Sequence, residues 1–81
     1  MSFAEQRATL AAQLARLEDV LRQAQGISRD LEERAEALAG QTETLADDTT
    51  LAQVTAAARR TRQDVGALVR TVVSARSQVA G

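Results

Sequence analysis

Phe3, Leu10, Leu17, Ala24, Leu31, Leu38 and Leu45 recur at every seventh position, and all of them are apolar. Leu14, Leu21 and Ala35 stand four residues after members of this row and adjoin it on a helical surface. The other positions of that second row are Arg7, Ser28, Thr42 and Thr49, so the combined stripe is rich early and poor late. Apolar residues at alternating spacings of three and four face one side of an α-helix, because about 3.6 residues complete a turn. The pattern predicts a coiled-coil-like helix over residues 3–45.

A second stripe runs through Leu51, Val54, Ala58, Thr61, Val65, Leu68, Val72, Ala75 and Val79, with Thr61 its one polar member. It is out of phase with the first, which predicts a turn over 46–50 and a second helix over 51–79. Asp47, Asp48, Thr49 and Thr50 suit a turn, and Thr50 with Gln53 fits a capping box. Gly26, Ile27 and Ser28 offer a different break, as a helix stop, its apolar follower and a new N-cap. The first row passes through Ala24 and Leu31 without slipping, which favours continuity, since a glycine inside a helix costs only about 1 kcal/mol. Gly40, ahead of Thr42 and Thr44, marks fraying toward the turn.

These lengths do not match. At about 1.5 Å per residue the first helix spans roughly 64 Å and the second roughly 44 Å, a difference of about 20 Å. Residues 3 to about 16, with Phe3, Leu10 and Leu14, are then left without cover from the same chain, an exposed stripe that calls for a partner. Two all-α architectures answer this. One is an antiparallel helical hairpin that dimerises into a four-helix bundle, the expected fold; the other is a three-helix monomer that turns back near Gly26.

Composition sharpens the picture. The 81 residues allow a single helical domain, 1–81, and Ala, Leu, Arg, Glu and Gln, all good helix formers, dominate. Of the 44% hydrophobic residues much is Ala; the large ones are Met1, Phe3, Ile27, nine Leu and seven Val. So small a core favours self-association. The chain has no Cys, His, Lys, Asn, Pro, Trp or Tyr. Disulfides, thiolate metal sites and the commonest general base are thereby removed. Ser and Thr hydroxyls have no His or Lys to activate them, and neither a Gly-x-Ser-x-Gly elbow nor a phosphate loop occurs. The expectation is a non-enzymatic chain with no cofactor and no metal. Asp30, Glu32, Glu33 and Glu36 match neither an EF-hand loop nor a di-iron motif and read as a charged surface.

Charge is unevenly spread. Residues 1–29 carry +1, residues 30–48 carry −6 and residues 49–81 carry +4. An acidic segment joined by a turn to a basic one favours antiparallel return, each exposed pair contributing only about 0.2–1 kcal/mol. Arg59, Arg60, Arg62 and Arg70 form the basic cluster, and a weak nucleic-acid contact through them is one alternative. The lack of aromatic residues to stack on bases and the net charge of −1 argue against nucleic acid.

Function is accordingly expected to be helix-against-helix interaction or scaffolding, with a second copy (a homodimer) or another helical protein as partner. Phe3, Leu10, Leu14, Leu17 and Leu21 are the candidate residues for self-association. Val65, Leu68, Val69, Val72 and Val73 are the candidates for packing within the chain or against a partner. No apolar run approaches the roughly 20 residues that cross a bilayer, so no membrane is expected. No basic segment precedes an apolar stretch at the start, so a cytoplasmic location is expected.

In length and in its two helices around a central turn, the chain resembles the WXG-motif helical hairpins exported by type VII secretion. Leu45-Ala46-Asp47-Asp48 stands where that family carries Trp-x-Gly, and without Tyr the C-terminal export motif is absent. The resemblance implies a small secretion-associated hairpin, exported without a signal peptide.

Overall fold

The computed structural model describes residues 2–41 and 45–80, and of these all side chains except those of Leu45 and Ala46. It is an antiparallel pair of long helices, α1 (Phe3–Ala39) and α2 (Leu45–Ala80). Ser2 caps α1: its hydroxyl accepts the Glu5 N–H at 3.2 Å, and the Glu5 carboxylate sits in the first turn, where the helix dipole favours an anion. At the other end Gly40 is the C-cap, and Gln41 N–H closes a tight turn on the Leu38 carbonyl at 2.9 Å.

The helix boundaries differ from those the stripes predict. Residues 46–50 lie inside α2 rather than in a turn, and Thr50 is an interior helical residue rather than an N-cap. Asp47 and Asp48 fall in the first turn of α2, where carboxylates complement the exposed N–H groups, so this polar cluster starts a helix instead of interrupting one. The stop is supplied earlier, at Gly40; Thr42 and Thr44, expected to fray beside it, lie outside the described residues. α1 runs unbroken through Gly26, whose outer side meets nothing within 4 Å, so the described residues form two helices and not three. With the turn moved, α1 has 37 residues and α2 has 36. The expected 20 Å overhang disappears, and α2 accompanies α1 along its whole length.

The resulting rod measures 63 × 15 × 14 Å, with a radius of gyration of 18.4 Å against about 12 Å for a compact chain of this length. Little is enclosed. The buried apolar residues are Ala35, Ala58, Val69 and Val72, and the helices meet along small or mixed residues.

On α1 the covered positions include Ala11, Leu14, Glu18, Leu21, Gln25, Ser28, Glu32, Ala35 and Ala39, and on α2 Leu51, Thr55, Ala58, Arg62, Val65, Val69, Val72, Arg76 and Val79, two sets that keep the coiled-coil alternation of three and four. The small residues Ala15, Ala24, Gly66 and Ala75 beside them are covered as well. Ser28 is tolerated in this seam because its hydroxyl donates to the Ala24 carbonyl at 2.8 Å, and Thr55 does the same to Leu51 at 2.8 Å. Gly66 permits close approach, for a Cβ there would stand 3.1 Å from Gln25 Nε2.

Candidate interaction surface

The seam uses only half of each apolar stripe. The rows Leu14–Leu21–Ser28–Ala35 and Leu51–Ala58–Val65–Val72–Val79 face inward, but each is completed by a row on the opposite flank from the one that periodicity selects. Glu18 and Glu32 on α1 and Arg62, Val69 and Arg76 on α2 are drawn in. Of the row with the longest apolar run, Leu10, Leu17, Leu31 and Leu38 are rotated outward, while the small Ala24 between them is half-buried.

Ion pairs explain the rotation. Glu32 accepts from Arg59 at 2.9 Å and from Arg62 at 2.9 Å, and Arg59 also reaches Glu36 at 3.0 Å. Glu18 sits between Arg76 at 2.8 Å and Arg22 at 3.0 Å. Hydrogen bonds from Arg62 and Arg59 hold the Glu32 carboxyl below the usual carboxylate range, and Arg22 and Arg76 do the same for Glu18. Glu32 in turn raises the pKa of Arg59 above its already high ordinary value. These contacts are partly wet, so they select orientation more than they add stability. Two members of the basic cluster, Arg59 and Arg62, are thus engaged by α1 carboxylates. Arg60 lies 4.0 Å from Asp64 on its own helix.

In consequence the rod has two unlike faces. The ion pairs line one. On the other, Phe3, Leu10, Leu17, Val20, Ile27, Leu31 and Leu38 of α1 each keep 45–79% of their surface exposed. In an antiparallel pair the row three residues past each seam position lies on the same side of both helices. Leu68 and the half-open Val54 of α2 therefore flank the α1 row across the seam. Near the open end lies a cleft lined by Phe3, Gln6, Arg7 and Leu10 of α1 and Gln78 and Val79 of α2.

The candidate residues divide between these environments. Phe3, Leu10 and Leu17 are exposed, whereas Leu14 and Leu21 are half-buried against α2 and occupied within the chain. Val65 is half-buried and Val69 and Val72 are buried, but Leu68 and Val73 are open, Val73 on the ion-pair side. Val20 and Ile27 were not among the candidates. Their signal was available: they extend the outer row at the same spacing. Among the described residues no group of three His, Cys, Asp or Glu could hold a metal, and no helix is long and apolar enough to cross a membrane. Compared with known proteins, the chain matches no family model, no curated sequence and no solved structure.

Proposed function

We propose that this protein is a non-enzymatic helical interaction or scaffolding module that acts by self-association through the apolar face of α1. The observation that carries the reading is the row of seven large apolar side chains left open on one face of a rod that already has its intramolecular partner. A contiguous apolar strip of that length marks an interface in a soluble chain, whereas scattered exposed leucines do not.

Surface area supports the same reading. The chain exposes 6015 Å², against about 4,700 Å² for a compact monomer of 8.7 kDa. The excess, on the order of 1,300 Å², exceeds the roughly 800 Å² that each partner contributes to a standard interface.

Sedimentation equilibrium tests this, read by peptide-bond absorbance because the chain lacks Trp and Tyr. The parent should sediment above 8.7 kDa, and Leu17→Asp with Leu31→Asp should return it to monomer mass with helicity retained. A parent that stays monomeric up to millimolar concentration overturns the reading. Leu14→Asp is the wrong probe, since it strikes the intramolecular seam.

A further inference from the structure

We infer that two copies pair through α1 in antiparallel fashion, with the two-fold axis passing at Ala24; this rests on the self-association reading above. The exposed row is a palindrome of side chains. Leu17 and Leu31 stand seven residues either side of Ala24, and Leu10 and Leu38 stand fourteen. Antiparallel pairing about Ala24 sets Leu10 of one copy at the level of Leu38 of the other, and Leu17 at the level of Leu31. A closed two-fold contact requires one patch to be complementary to itself in this way.

The neighbouring positions fall within one residue of the same symmetry. Val20 comes one residue from the level of Ile27, and Gln13 one residue from that of Arg34. At the edge, Arg16 and Asp30 stand seven residues either side of Gln23 and carry opposite charge. Neither has an ion-pair partner among the described residues. Antiparallel pairing about Ala24 brings Arg16 of each copy within two residues of the level of Asp30 of the other, about 3 Å along the helix and within side-chain reach, twice. Parallel pairing instead opposes Arg16 to Arg16 and Asp30 to Asp30, a like-charge arrangement that specific interfaces avoid.

The other helix fits the same axis. Gly66 lies beside Gln25, which puts Leu68 close to the level of Ala24 along the rod. With α1 laid over its copy, α2 lies over its own copy, and the open Leu68 side chains approach each other beside the small Ala24 pair. The product is a four-helix bundle with the ion-paired faces outward.

Because the chain lacks cysteine, single cysteines give an unambiguous test. Ala24→Cys should form a disulfide-linked dimer as the major oxidised species, since an axis at or beside this residue brings its Cα within the roughly 7 Å that a disulfide spans. Leu10→Cys alone should not cross-link, but mixed with Leu38→Cys it should. Self-linkage of Leu10→Cys means a parallel dimer, and preferential linkage of Ala24→Cys to Leu68→Cys means α1 lies over α2 of the other copy; either overturns the inference. Sedimentation of the parent separates the two levels: a dimer mass without the Ala24→Cys link rejects the axis alone, while a monomer mass rejects self-association itself. Arg16→Asp should weaken the dimer and adding Asp30→Arg should restore it, a rescue that parallel pairing does not give.

Discussion

Arg62 Nε lies 2.9 Å from Glu32 Oε2, joining positions 30 residues apart that neither apolar stripe includes. This pair and its counterpart between Arg76 and Glu18 decide which flank of each helix turns inward. Their carboxyls titrate below the ordinary glutamate range in the folded hairpin. An unfolded glutamate titrates at about 4.3, so the unfolded chain takes up these protons first and the stabilisation is full above that pH. It is lost as pH falls through the folded values. Thermal melts followed by circular dichroism should give a constant midpoint from pH 7 to about 5 and a falling one toward pH 3. Glu18→Gln with Glu32→Gln should melt lower at pH 7 and show a flatter acid limb.

The glycines make a matched pair of helix-interior probes. Gly26→Ala adds a methyl into open space and removes the conformational freedom of a glycine, so it should stabilise by about 0.5–1 kcal/mol. In a domain of this size that is a rise of several degrees in midpoint. Gly66→Ala places the same methyl 3.1 Å from Gln25 Nε2, the tip of a flexible side chain that must withdraw, so its gain should be smaller. Gly66→Leu exceeds what that adjustment absorbs and should lower the midpoint. A Gly66→Ala midpoint equal to that of Gly26→Ala would show that the helices are not in close contact at this level.

Ala58, 3% exposed, lies at one of the tightest parts of the seam. Ala58→Leu inserts a branched side chain where the opposite helix stands, and overpacking of this kind costs about 1–3 kcal/mol. Urea denaturation should register the loss as a lower midpoint. Leu→Ala changes on the outer row should act mainly through oligomer mass, because about half of each of those side chains is left open by its own chain.

Two long helices, their antiparallel return and the pairing of an acidic with a basic segment were all legible in the pattern of leucines, valines and charges. The rows through Leu14 and Leu21 and through Ala58, Val65 and Val72 were legible as apolar stripes, although Leu14 and Leu21 were expected to meet a second copy and pack within the chain instead. The turn was misplaced because aspartate and threonine serve equally as turn residues and as a helix's first turn, and the Gly40 stop outweighed the phase shift. Rotation of the seam was harder to see. Periodicity ranks a glutamate below a leucine for a buried row, yet Glu32 has two arginines opposite it, whereas Leu31 keeps about half of its surface open. Burial in a two-helix rod is shallow, so geometry and charge can outbid hydrophobicity in choosing the flank.

Arg7 Nε donates to the Val79 carbonyl at 2.6 Å across 72 residues, at the end of the rod opposite the turn. α2 carries no basic residue in its own last turn, so this borrowed guanidinium serves its terminal carbonyl. A contact between such distant positions forms only after the intervening zipper has closed, and it is exposed to solvent. Warming should therefore unravel the molecule in one direction, from this latch toward Gly40. Amide hydrogen exchange should be fastest around Val79 and slowest near Ala35 and Ala58, and Arg7→Ala should accelerate it at the latch while leaving the Ala35 and Ala58 region unchanged.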